Sequence, residues 1–173
     1  MRTFTIFALF FLFAPRTIRA ADCGDWLTVC VCGDFVDISP CGNATVGEGC
    51  WNSTGVGAIL VAQGCFSVSN DDVVLSVEQL PHNQFGIVFA SYSSSSGQPT
   101  FGDGVLCMDA PYLRFPVHSS GPLGVFSEGP GIAQFAGIQP GDQILFQGWF
   151  RDPTGPCGSG FNLSSAILTT WSN

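Results

Sequence analysis

Lysine is absent from this chain, and its positive charge rests on five arginines: Arg2, Arg16, Arg19, Arg114 and Arg151. Thirteen acidic residues oppose them, for a formal charge of −8. Such acidity repels nucleic-acid phosphates and anionic lipid, which excludes nucleic-acid binding as the expected role. Histidine is nearly as scarce, with only His82 and His118. A catalytic zinc usually wants three protein ligands, and neither an H-E-x-x-H pair nor a C-x-x-C knuckle is present. No EF-hand loop spacing occurs either. The G-x-S-x-G elbow of hydrolases is missing, its nearest approach being Gly158-Ser159-Gly160. Helical periodicity is also lacking; the only hint runs from Ile132 to Ile138.

What is present begins with an export signal. Arg2 precedes an apolar run from Phe4 to Ala14 that ends at Pro15. That run suits a signal-peptide core and falls short of the roughly 20 apolar residues a bilayer span needs. Residues 1–20 are read as the signal, cut after Ala20, and no later segment approaches membrane length. Cleavage removes three arginines and leaves two against thirteen carboxylates, a formal charge of −11. The expected product is secreted or held at the cell surface.

All eight cysteines follow the signal: Cys23, Cys30, Cys32, Cys41, Cys50, Cys65, Cys107 and Cys157. An even number in an exported chain predicts four disulfides. Six fall in a Gly- and Asp-rich stretch with little strand patterning, where crosslinks substitute for a core. Cys107 and Cys157 lie far apart, each adjoining a strand-like run, and are paired with each other; the other six stay open.

From Gly57 onward, strand follows strand. Ala58 to Ala62 is a short apolar run, with Phe66 to Ser69 as its expected hairpin partner. Val73 to Leu80 alternates, placing Val73, Leu75 and Val77 on one face. Gly86 to Tyr92 reads as buried on both faces, and Val105 to Met108 as a further short strand. Tyr112 to His118 alternates, with Leu113, Phe115 and Val117 opposite Arg114, Pro116 and His118, and Pro116 marks it as an edge. One strand is expected near Val125. Gln143 to Arg151 sets Ile144, Phe146 and Phe150 against Leu145, Gln147 and Trp149, and Ala166 to Trp171 closes the chain. The predicted fold is all-β: an antiparallel β-sandwich over residues 57–173, with a disulfide-rich N-terminal region, residues 21–56, packed on it as part of one domain.

Catalytic groups are thin. His82 sits in a Pro-His-Asn turn and His118 is expected on the outward face of its strand. The acidic residues, among them Asp71, Asp72, Asp103, Asp109, Asp142 and Asp152, fall mostly in turns, where their side chains bond backbone amides. A carboxylate pair for glycoside hydrolysis, or calcium held by a subset of loops, is the competing reading. Trp51 and Trp149 are the tryptophans expected to be exposed, as sugar platforms or half-buried packing. Arg151 with Asp152 reads as an ion pair or turn lock, and Arg114 is expected to meet a loop carboxylate. Asn43-Ala44-Thr45, Asn52-Ser53-Thr54 and Asn162-Leu163-Ser164 are glycosylation sequons, relevant only in a eukaryotic secretory pathway.

Several phrases follow one another in order: Cys50-Trp51-Asn52-Ser53-Thr54-Gly55, Leu80-Pro81 then Phe85-Gly86, and Phe101-Gly102-Asp103-Gly104 with Leu106-Cys107. Gly141-Asp142, Phe146-Gln147-Gly148-Trp149-Phe150-Arg151-Asp152 and Gly160-Phe161-Asn162-Leu163-Ser164 complete the series. Together they resemble secreted, C-terminal-type β domains of planctomycete and myxobacteria-like bacteria, to which no activity is attached. The resemblance spans nearly all of the chain after the signal, and W-F-R-D and F-N-L-S are its most specific pieces. It implies a bacterial, exported module and no particular reaction. This chain departs from the group in standing alone after its signal and in carrying Cys41 and Cys65, which the comparison implies as an extra crosslink.

The expectation is a non-enzymatic binding or structural module at the cell surface or in the extracellular matrix, with an envelope or extracellular partner. The alternatives are a secreted polysaccharide hydrolase using loop carboxylates, and a calcium- or glycan-binding module.

Overall fold

The computed structural model describes residues 23–33 and 39–173. The signal peptide expected at residues 1–20 lies outside them. In chain order the strands are β1 (Asp25–Cys30), β2 (Ile59–Gln63), β3 (Val74–Glu78), β4 (Phe85–Ser91), β5 (Thr100–Phe101) and β6 (Gly104–Val105). They continue with β7 (Leu113–Arg114), β8 (His118–Ser119), β9 (Phe126–Glu128), β10 (Gln143–Asp152) and β11 (Gly160–Thr170). A short helix, α1 (Ile132–Ala136), stands between β9 and β10.

Two antiparallel sheets face each other. The larger has the order β1-β11-β10-β4-β7, with β8 also pairing β4, and the smaller is β2-β3-β9. Alternation dictates what fills the space between them. From the larger sheet come Val88, Ala90, Ile144, Phe146, Phe150 and Ile167; from the smaller come Leu60, Leu75, Val77 and Phe126. Each large side chain buried here contributes roughly 1.5–3 kcal/mol. Gly148 lies on the inner face of β10, where a Cβ would come within 2.8 Å of both Val77 methyl carbons. The sheets close at that point because the residue has no side chain. The all-β, antiparallel, disulfide-rich fold expected from the sequence is what forms.

Local signals explain the smaller elements. Gly131 precedes α1 and carries no capping side chain. Asp71, in the β2–β3 connection, takes that role from a distance, accepting the backbone N–H groups of Ala133 (2.8 Å) and Gln134 (2.9 Å).

Several expectations need correction. Phe66 to Ser69 does not pair with the preceding strand; β3 does, residue for residue from Ile59–Glu78 to Gln63–Val74. Phe66 instead packs edge-on against Trp171, and Ser67 bridges Ser172, so the segment closes the end of the sandwich. The strand expected over Val105 to Met108 ends at Val105. The N-terminal stretch, residues 21–56, read as having little strand patterning, supplies β1, which pairs with β11 as an edge of the main sheet. Beyond Pro116, between β7 and β8, the alternation breaks. Phe115 stays in the core, but Val117 is exposed and His118 turns inward to stack on Phe126.

The disulfides join Cys23–Cys65, Cys30–Cys107, Cys32–Cys50 and Cys41–Cys157. All eight cysteines are thus oxidised, but neither the Cys107–Cys157 nor the Cys41–Cys65 pairing forms. Cys107 sits over the middle of β10, its N–H donated to Gln147 (3.2 Å), whereas Cys157 lies in the β10–β11 loop on Asp103 (3.0 Å). Proximity to a strand in sequence says nothing about which end of the strand is reached. Three of the four bonds run from the first thirty described residues to the body of the sandwich.

Candidate functional site

The outer face of the larger sheet, turned away from the core, is also apolar. Alternation places Phe85, Ile87 and Phe89 of β4, and Leu145, Gln147, Trp149 and Arg151 of β10, on that face. A burial on both sides demands a cover, and the chain between β4 and β7 supplies it. Met108 is wholly buried there against Phe89, Leu145 and Leu163.

Polar locks hold the cover down. Gln147 is inaccessible to solvent; its amide donates to the carbonyls of Val105 (2.9 Å) and Ser164 (2.8 Å) and accepts the Cys107 N–H. The Cys30–Cys107 bond fixes the same spot from the other side. The β5–β6 hairpin is pinned through its tip. Gly102 turns it with φ +64° while the Phe161 ring lies against the glycine. Asp103, fully buried, accepts N–H groups from Cys157 (3.0 Å) and Ser159 (2.9 Å), and its carbonyl accepts from Asn43 (2.8 Å).

The cover is incomplete. Between the hairpin and β7 it leaves a groove of about 400 Å³. Ile87 and Phe89 form its floor; Phe101, Leu106 and Trp149 wall one side, Tyr112 and Arg114 the other. Phe101 and Trp149 both lean on Phe161, with ring centroids 5.0 and 5.7 Å away. Tyr112 meets Phe89 edge-on (5.9 Å), donates its hydroxyl to the Met108 carbonyl (3.4 Å), and carries the Arg114 guanidinium 5.8 Å above its ring.

The remaining residues singled out in the sequence are scattered. His82 is exposed in its turn; His118 Nε2 lies 2.8 Å from a Glu128 carboxylate oxygen, and no arginine–carboxylate pair forms among the described residues. Arg151 and Asp152 form no ion pair with each other, and Arg114 meets no loop carboxylate among the described residues. Trp51 is half-exposed and Trp149 partly buried. The turn carboxylates bond amides as the sequence suggests: Asp72 to Cys65, Asp142 to Gln139, Asp152 to Ser53. No three of the histidine, cysteine, aspartate or glutamate side chains converge as a metal site among the described residues. Asp142 also accepts the Tyr92 hydroxyl, and burial together with that carboxylate pushes the Tyr92 phenol above its ordinary value of 10.0. The three sequon asparagines, Asn43, Asn52 and Asn162, are all buried. Their amides bond backbone carbonyls of Trp51 and Asp103, of Gln79, and of Cys50 and Trp51 respectively. They are internal struts.

Fold and groove together define an antiparallel β-sandwich, crosslinked by disulfides, with a walled apolar cleft on the back of its main sheet. No family model matches the sequence, and neither a curated protein nor a solved structure is similar to it. No helix among the described residues is long and apolar enough to cross a membrane.

Proposed function

We propose that the chain is an exported, non-enzymatic binding module of the cell surface or extracellular matrix, with the outer-face groove as its ligand site. The observation that carries this reading is the open groove itself. Its walls are held by Gln147, Asp103 and the Cys30–Cys107 bond, so ligand binding orders nothing that is not already ordered. A pre-formed, mainly apolar concavity with few polar groups is the usual form of a small-molecule site. The resemblance to secreted, C-terminal-type bacterial domains supports the same compartment and supplies no function. Against a hydrolase acting through loop carboxylates stands the engagement of Asp71, Asp103 and Asp142 with backbone amides.

The test is a binding screen of the oxidised protein against glycans, cell-envelope fractions and small amphiphiles, with and without calcium. Saturable binding that falls about tenfold or more in Trp149→Ala or Phe101→Ala is expected. Substrate turnover abolished by changing a loop aspartate overturns the reading.

A further inference from the structure

The chemistry of the groove narrows its ligand, on the premise that the groove is the binding site. Only two basic residues occur among the described residues, Arg114 and Arg151, in a chain dominated by carboxylates. Neither pairs with a carboxylate among the described residues. Both arginines share the outer face with the groove: Arg114 pairs with Phe89 across β4–β7, and Arg151 is two residues along β10 from Trp149.

The rest of the lining is apolar. Tyr112 supplies the only hydroxyl, and it is already donated to Met108. A sugar laid in this groove would leave most of its hydroxyls without partners, at a cost. An aliphatic chain loses nothing. The groove crosses β10, β4 and β7, a span of roughly 10 Å at the usual strand spacing. It runs from the Trp149 indole to a guanidinium whose planar fork suits a carboxylate.

We propose that the groove binds an amphiphilic monocarboxylate of the fatty-acid type, its alkyl chain over Ile87 and Phe89 against Trp149 and its carboxylate on Arg114. The net negative charge of the protein does not oppose this at contact range, because charges beyond about 8 Å are screened at physiological ionic strength.

Calorimetric titration of the oxidised protein with octanoate, octanol and octylamine tests the assignment. Octanoate is expected to bind about tenfold more tightly than octanol, and octylamine more weakly than either. Arg114→Gln is expected to erase the octanoate–octanol difference, and Arg151→Gln to preserve it. Near-ultraviolet circular dichroism confirms that each variant is folded. Equal binding of octanoate and octanol by the unaltered protein overturns the assignment, as does a preference that survives Arg114→Gln. If no amphiphile binds but some other ligand is lost in Trp149→Ala, the carboxylate assignment fails and the groove stands. If no ligand responds to Trp149→Ala or Phe101→Ala, the groove reading itself fails.

Discussion

Asp103 and Asp152 are both wholly buried, and a Cβ on Gly155 would fall under 3.0 Å from an Oδ2 of each. The two carboxylates face one another with backbone amides as their donors, yet they are not equivalent. Asp103 uses both oxygens, one on Cys157 and one on Ser159. Asp103→Asn sets an amide N–H against a backbone N–H, so a loss of about 1–3 kcal/mol is expected in urea unfolding. Asp152 uses only Oδ2, on Ser53, and its Oδ1 is buried without a partner. Asp152→Asn keeps an acceptor for Ser53 and removes a buried charge, the new N–H standing where Oδ1 has no partner, so its stability is expected within about 1 kcal/mol of the parent. Tyr92 gives a second prediction at this scale. A phenol raised in the folded state resists ionisation there, so its contribution to stability is present below the unfolded value and lost as pH rises past it. In Tyr112→Phe, where Tyr92 alone titrates, the phenolate absorbance should rise at a midpoint above 10.0, and Asp142→Asn should lower that midpoint.

Strand β10 shows how much of an element the sequence displays. Its alternation correctly separates Ile144, Phe146 and Phe150 from Leu145, Gln147 and Trp149, because the period of two is the same on either side of a sheet. What alternation cannot reveal is that the second face is covered as well. Gln147 reads as a solvent-side residue and is the innermost polar group of the cover, its partners coming from residues 105–107 and 164. The groove was legible only as Trp149 on a face with Arg151; Phe101, Tyr112 and Arg114 join it through long-range pairing that no local pattern encodes. The edge at Pro116 was legible, while the inward turn of His118 beyond it was not, since a proline-induced slip reverses every later side chain. Two element-scale predictions follow from the contacts. Asp71→Ala removes the acceptor for the first amides of α1 and is expected to cost about 1 kcal/mol, with faster hydrogen exchange at Ala133 and Gln134. Gly148→Ala drives a methyl into Val77 and is expected to cost about 1–3 kcal/mol, read as a lower melting temperature.

At the scale of the molecule, the disulfides do what the sequence indicated, in a pattern it did not disclose. The sequence announced four bonds, since an even number of cysteines in a chain read as exported has few other uses. Connectivity depends on which loops meet, and three N-terminal cysteines each reach a different region of the sandwich. Individual disulfides typically contribute about 2–4 kcal/mol, so reductant is expected to lower the melting temperature substantially; thiol titration of the unreduced protein should find none free among these eight. Replacing Cys32 and Cys50 by alanine, which opens the shortest loop at a separation of 18, should cost less than replacing Cys41 and Cys157, separated by 116.

The place of β11 between β1 and β10 has a bearing on how the molecule is made. The last of the described strands is the one that joins the first of them to the rest of the sheet. Until it emerges, β1 has no strand to pair with, and Cys41 waits for a thiol that appears 116 residues later. A chain still on the ribosome therefore leaves this sheet open until β11 is made, and a chain cut before β11 would lose the keystone of the sheet.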